Sequence, residues 1–116
     1  IDNYKEEYTQ LLDTAIRYAN GHTQNVFVLS IPDWGVTPFA EGRDRVQIAK
    51  DIDAYNAVCK AITLVHKCNY LDITDSTRKN GTTPAYLAED GLHPSGKEYK
   101  IWAERLTPMV AKVLRG

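Results

Sequence analysis

The sequence predicts an α/β domain, because segments with a helical apolar pattern alternate with short apolar runs. The predicted order along residues 1–116 is α-β-α-β-α. The first apolar run, residues 25–32, has six apolar residues among its eight and does not alternate. Such a run is typical of a strand covered on both faces, as in a parallel sheet. Strands that alternate with helices therefore predict a parallel sheet with helices on both of its faces.

Two predicted helices and a second strand make up most of the remaining pattern. Apolar residues three and four apart predict a first helix over residues 2–20, and Gly21 suits the left-handed backbone conformation after its end. A long second helix is predicted over residues 43–67, followed by a short strand over residues 69–74. The side chains predicted to face inward on the second helix are Ile48, Ile52, Tyr55, Val58, Cys59, Ile62 and Val65.

The C-terminal part combines an irregular stretch with a final amphipathic helix. Residues 75–94 predict mostly irregular structure. Ser95 and Glu98 match a capping box, in which each side chain bonds to the backbone of the other residue. Pro108 falls inside this helix and predicts a kink, or a restart with Thr107 as a new cap. The predicted apolar stripe contains Tyr99, Trp102, Ala103, Leu106, Val110, Val113 and Leu114.

Two predicted strands are too few to cover the apolar faces of three helices. Sheets usually have about four to six strands, and a sheet edge beside residues 26–31 would stay open. We therefore expect residues 1–116 to form the C-terminal part of a single larger α/β domain, or to borrow strands from another chain.

Composition excludes several classes of partner. Fourteen Lys and Arg residues balance 15 Asp and Glu residues, so the formal net charge of −1 predicts no nucleic-acid partner. No apolar run approaches the roughly 20 residues that a membrane-spanning helix needs. Cys59 and Cys68 fit neither a metal pattern nor a disulfide framework, and His22 and His66 lie on unrelated elements. We therefore expect no metal and no cofactor.

The stretch EDGLHPSGKEY, residues 89–99, contains the strongest chemical signal. Asp90 and His93 lie three residues apart in a turn made by Gly91, so the carboxylate can fold back onto the imidazole Nδ1. That bond would fix the tautomer of the ring and leave Nε2 free to accept a proton. From the residues alone, two interpretations stay open: a catalytic acid–histidine pair, or a polar turn whose aspartate caps backbone N–H groups.

The run DGLHPS, residues 90–95, before a final amphipathic helix resembles the last conserved block of the SGNH or GDSL hydrolases, which reads D-x-x-H-P. The apolar strand, the long helix and the second strand that precede it also resemble the C-terminal region of that family. The resemblance implies that His93 is the general base and that Asp90 orients it. It also implies a flavodoxin-like three-layer α/β/α sandwich with about five parallel strands.

The activity implied by the resemblance is ester hydrolysis through an acyl-enzyme on serine, with a small-molecule, lipid or carbohydrate ester as substrate. The sequence departs from the family pattern because it contains neither G-D-S nor G-x-N-D. Ser30, Ser76 and Ser95 are each expected to be structural. We therefore expect the nucleophile to come from an N-terminal part of the same domain that precedes these residues.

The loop after the first strand carries two aromatic residues, Trp34 and Phe39. Because it follows a parallel strand, it is expected beside the same crevice as the acid–histidine turn. Trp34 and Phe39 either contact the substrate, for example a sugar or an acyl group, or cover the apolar core. The next residues, 43–45, are expected to be a solvated helix start. A degenerate family relative that binds its ligand without catalysis is the alternative function.

Overall fold

Helices and strands alternate along the chain in a computed structural model that describes all residues, 1–116. The chain contains four helices, one parallel pair of strands and four short 3₁₀ turns. No helix has the length and apolar character that crossing a bilayer requires. The elements are α1 (Asp2–Tyr18), β1 (Phe27–Leu29), α2 (Arg45–Val65), β2 (Asn69–Leu71), α3 (Thr74–Asn80) and α4 (Gly96–Leu114), with 3₁₀ turns at 23–25, 34–36, 38–40 and 84–86.

The two strands pair in parallel, with Phe27 opposite Asn69 and Leu29 opposite Leu71, and α2 connects them. The parallel pairing and the α/β class are as predicted. Both strands are shorter than predicted, and their side chains are half-buried rather than covered on both faces. The ladder ends after Leu71 because the next backbone N–H in its pattern, that of Ile73, donates to the side-chain hydroxyl of Ser30 at 2.8 Å instead of to a strand carbonyl.

The apolar core is small and lies between α1, α2 and the sheet. Leu12, Val26 and Cys68 form its buried centre. Tyr8 of α1 is joined to Thr63 of α2 by a hydrogen bond of 2.6 Å between their hydroxyl oxygens. Thr63 is fully buried, and its hydroxyl stays hydrogen-bonded there because it also donates to the Cys59 carbonyl one turn earlier.

Several positions predicted to be buried on the helices are exposed instead. Val65 at the end of α2 is 77% exposed, and Thr63 takes the buried position two residues earlier. On α4, Tyr99 and Leu114 are also largely exposed. These apolar residues lie where no other element of the chain reaches the helix surface.

The prediction that residues 75–94 are mostly irregular is wrong at its beginning, where α3 forms. This helix has no apolar stripe. Its buried residues are Thr74, Ser76 and Thr77, and their hydroxyls are all hydrogen-bonded. Thr74 donates to the Ile31 carbonyl, which ties the start of α3 to the end of β1. A short helix stabilised by polar contacts leaves no apolar periodicity in the sequence.

The capping box predicted at the start of α4 does not form. Ser95 is the N-cap residue, but its hydroxyl donates to the Ala85 carbonyl at 2.7 Å. The Glu98 carboxylate is only 2% exposed and accepts hydrogen bonds from Ser76 Oγ at 2.8 and 3.1 Å. Tertiary contacts to the preceding loop and to α3 therefore replace the local pattern.

The restart predicted near Pro108 is also wrong, since α4 is continuous from Gly96 to Leu114. Thr107 does not cap a new helix. Its hydroxyl donates to the Ala103 carbonyl one turn earlier, as an ordinary helical threonine does.

Candidate active site

Asp90 and His93 are in direct contact in the turn before α4. Asp90 Oδ2 accepts a hydrogen bond from His93 Nδ1 at 2.5 Å. Asp90 Oδ1 accepts the backbone N–H groups of Leu92 at 2.9 Å and His93 at 3.0 Å. A single carboxylate therefore both caps the backbone of the turn and binds the imidazole.

Backbone hydrogen bonds close the turn on itself. Gly91 has a φ of +67°, a left-handed conformation that a residue with a Cβ adopts only with strain. The backbone N–H of Ala88 donates to the His93 carbonyl at 2.7 Å, and Leu87 pairs with Pro94 in an antiparallel bridge. The Asp90–His93 pair is thus held by a closed loop rather than by a flexible one.

Asp90 is ionised at neutral pH. The hydrogen bond from the His93 side chain, together with those from the Leu92 and His93 backbone, lowers the pKa of Asp90 to about 2. The pair is nevertheless open to water, with 48% of the Asp90 and 69% of the His93 side chain exposed. An ionised carboxylate on Nδ1 fixes the neutral ring with its proton there, so Nε2, which has no partner in the chain, can accept a proton.

The loop after β1 lies against this turn, as expected for two segments at the same end of a parallel sheet. The Phe39 backbone N–H donates to the Gly91 carbonyl at 3.2 Å, and Pro38 lies beside Gly91. Trp34 lines a small cleft with Tyr86, Leu92 and other residues of the turn. On another side Trp34 lines a second, open groove together with the apolar residues Ile31, Ile48 and Ile52. His93 does not line the cleft.

A network of charged side chains holds the loop after β1 in place. Asp33 is 2% exposed; its carboxylate accepts the Gly35 N–H at 2.8 Å and Arg78 Nε at 2.9 Å. Arg45 is exposed, as expected for a solvated helix start, and its guanidinium also donates to the carbonyls of Gly35 and Thr37.

Sequence reasoning did not identify Asp33 and Arg78, which are 45 residues apart. The pattern Asp-x-Gly at residues 33–35 was the available signal, because aspartate often bonds to the N–H two residues later.

The serines of the chain are engaged away from His93. Ser30 is buried and bonds to Asp72 and Thr74 where the strands end. Ser76 donates to Glu98, and Ser95 donates to the Ala85 carbonyl. No hydroxyl of the chain therefore bonds to the imidazole of His93.

The other histidines are also separate from this site. His66 Nδ1 contacts the Ile62 carbonyl at 2.9 Å, and its Nε2 lies 3.6 Å from Asp13 Oδ1 on α1. No group of three or more His, Cys, Asp or Glu side chains converges in a geometry suited to a metal ion.

The sequence matches one protein-family model, the GDSL-like Lipase/Acylhydrolase family, over residues 1–101. The match includes the loop of Trp34 and the Asp90–His93 turn. No curated protein and no solved structure matches the chain. Because the family model covers most of the sequence, the chain belongs to the GDSL-like lipase/acylhydrolase family.

Proposed function

We propose that this chain supplies the histidine and aspartate of a Ser-His-Asp triad in an ester hydrolase. The observation that carries the proposal is the 2.5 Å contact between Asp90 Oδ2 and His93 Nδ1, with Nε2 unpartnered and exposed. Membership of the acylhydrolase family supports the same reaction class.

In the proposed mechanism His93 transfers a proton twice. Nε2 takes the proton of the nucleophilic serine as its oxygen attacks the ester carbonyl, and then gives that proton to the leaving alcohol. In the second half of the reaction His93 takes a proton from a water molecule as it attacks the acyl-enzyme, and then returns that proton to the serine oxygen as the acid leaves. Asp90 holds the tautomer of the ring and stabilises the imidazolium that forms at each step.

The serine nucleophile and the oxyanion hole are proposed to come from residues N-terminal to this sequence. The engagement of Ser30, Ser76 and Ser95 with other partners supports this division. The two-stranded sheet supports it as well, because further parallel strands of the same domain would complete an α/β/α sandwich.

The ester is proposed to lie along the loop after β1, with Trp34 as a contact residue. The bond between Phe39 and Gly91, and the cleft that Trp34 shares with Leu92, support this path for the substrate. A small-molecule, lipid or carbohydrate ester has the required reactive group.

The central test replaces His93 by alanine in the full-length protein. Hydrolysis of a short 4-nitrophenyl ester should fall by about 10²–10⁴-fold or more, because a general base contributes about that much. His22→Ala is the matched control, since it removes an exposed imidazole that belongs to an unrelated 3₁₀ turn. Equal turnover in the His93 and His22 variants would remove His93 from the mechanism.

The engagement of every serine in this sequence also favours a second candidate, a non-catalytic α/β binding module of the family. A serine-reactive fluorophosphonate separates the two candidates. Covalent labelling that requires His93 supports the hydrolase, whereas absence of labelling in the full-length protein supports the binding module.

A further inference from the structure

Arg43 sits over two aromatic rings on the loop after β1. Its guanidinium carbon lies 5.7 Å from the centroid of the Trp34 ring and 5.6 Å from that of Phe39. The two ring centroids are 6.4 Å apart, and their planes meet at 66°. The cation therefore lies within the distance at which aromatic rings attract a guanidinium.

This guanidinium has no anionic partner within the chain. Arg43 is exposed and takes part in none of the ion pairs of the molecule. The nearby Asp44 carboxylate is used to cap α2 through the Gln47 N–H. The planar fork of N–H donors on Arg43 is therefore available to bind a ligand.

The position of this group places it next to the acid–histidine turn. Phe39, which Arg43 overlies, is bonded through its backbone to Gly91, between Asp90 and His93. The ion pair between buried Asp33 and the partly exposed Arg78 holds the same loop in place. Phe39 is 49% exposed, so the group lies at the surface rather than inside the core.

We infer that Arg43 binds an anionic group, a carboxylate or a phosphate, carried by the ester that the proposed active site hydrolyses. The inference rests on the proposed function for its ester substrate. Because the guanidinium lies over both Trp34 and Phe39, these rings position Arg43 beside the proposed path of the ester. A planar anion meets the free N–H edge of the guanidinium and forms paired, charge-assisted hydrogen bonds.

The test compares two esters of equal chain length in the full-length protein: mono-4-nitrophenyl adipate, which carries a free carboxylate, and 4-nitrophenyl hexanoate, which is neutral. Arg43→Gln should lower the ratio of kcat/KM for adipate over hexanoate by about fivefold to tenfold. Arg43→Lys should recover part of that ratio, because it retains the charge without the planar fork. Arg17→Gln removes an exposed arginine from the end of α1 and should leave the ratio unchanged.

A second readout measures binding without turnover. In a Trp102→Phe background, Trp34 is the tryptophan of this chain that reports by fluorescence; Trp102 Nε1 has no hydrogen-bond partner to lose. Glutarate and glycerol phosphate serve as the carboxylate and phosphate probes, and 1,5-pentanediol serves as the neutral control. We expect saturable fluorescence changes with at least one anion, none with the diol, and loss of the anion response in Arg43→Gln.

The two readouts separate failure of this inference from failure of the proposed function. In one outcome hydrolysis requires His93, while the Arg43→Gln variant keeps the same adipate-to-hexanoate ratio and the same anion response. That result would contradict the anion site and support the hydrolase. If no ester is hydrolysed but glutarate or glycerol phosphate still binds through Arg43, the anion site stands and the hydrolase is wrong. Equal responses of Trp34 to the anions and to the diol would overturn the anion site in either case.

Discussion

At the scale of single residues, Asp90 has more than one role. Its Oδ1 is held by two backbone N–H groups, which fixes the direction in which Oδ2 faces His93. The side chain therefore maintains both the shape of the turn and the orientation of the ring. Because the pKa of Asp90 is lowered to about 2, this carboxylate stays ionised throughout the pH range in which esterases are assayed.

We expect Asp90→Asn in the full-length protein to lower kcat by about 10²–10⁴-fold with little change in KM. The asparagine Oδ1 can still accept the N–H groups of Leu92 and His93, so the turn persists. Its Nδ2 donates, however, and would favour the tautomer in which Nε2 carries the proton and cannot act as a base. Steady-state kinetics measure this effect, and an unchanged kcat would contradict the orienting role of Asp90.

At the scale of elements, the loop after β1 is anchored to α3 by the Asp33–Arg78 ion pair. Asp33 is almost fully buried, whereas Arg78 is about one-third exposed and also reaches Asp53 on α2. A second ion pair, between Asp75 and Arg105, joins α3 to α4 and is much more exposed. The two pairs look alike in distance, but desolvation makes them energetically different.

Arg78→Ala should lower the free energy of unfolding by about 3 kcal/mol, because it leaves the buried Asp33 carboxylate without its cation. Arg105→Ala is the matched control and should cost only about 0.5 kcal/mol, since its ion pair is open to solvent. Urea unfolding of the full-length protein at pH 7 measures both values. Similar losses in the two variants would show that burial of Asp33 does not determine the cost.

The exposed pair also has a defined pH dependence. Hydrogen bonds from the Arg105 side chain lower the pKa of Asp75 in the folded protein. The unfolded chain therefore binds a proton at higher pH, and the contribution of Asp75 to stability is present above pH 4 and lost as the pH falls through its folded pKa. The difference in stability between Arg105→Ala and the unaltered protein should accordingly shrink in acid.

At the scale of the whole molecule, the chain is thin and extended for its length. Its principal extents are 44 × 34 × 18 Å, and its radius of gyration is 15.4 Å. A compact domain of this length has a radius of gyration of about 13 Å. The two-stranded sheet and the apolar residues exposed on α2 and α4 are in keeping with a core that further strands would complete.

The 116-residue chain by itself should show no serine-dependent esterase turnover. Its serines are held by hydrogen bonds to other partners, and none bonds to the imidazole of His93. A 4-nitrophenyl acetate assay against buffer and against the His93→Ala variant measures this. Turnover by the isolated chain with an acetyl group attached to one of its serines would contradict the proposal that the nucleophile comes from residues outside this sequence.

The parts of this fold that depend on apolar periodicity were predictable from the sequence. α1, α2 and α4 each carry such a pattern, and an apolar run marks β1. The contact between Asp90 and His93 was predictable because it is local. α3 was not, because it buries hydroxyl groups rather than apolar side chains. The Asp33–Arg78 pair joins distant segments, so only the folded chain brings it together.

The hydrogen bond between Glu98 of α4 and Ser76 of α3 has a consequence for the order of folding. A helix that carries its own cap can begin to form in isolation, whereas the first turn of α4 bonds to other segments through Ser95 and Glu98. We therefore expect the loop of residues 84–95 to become fully ordered only when α3 and α4 have docked. On this order the turn of Asp90 and His93 would be completed late, and a chain that stops earlier would lack the proposed pair.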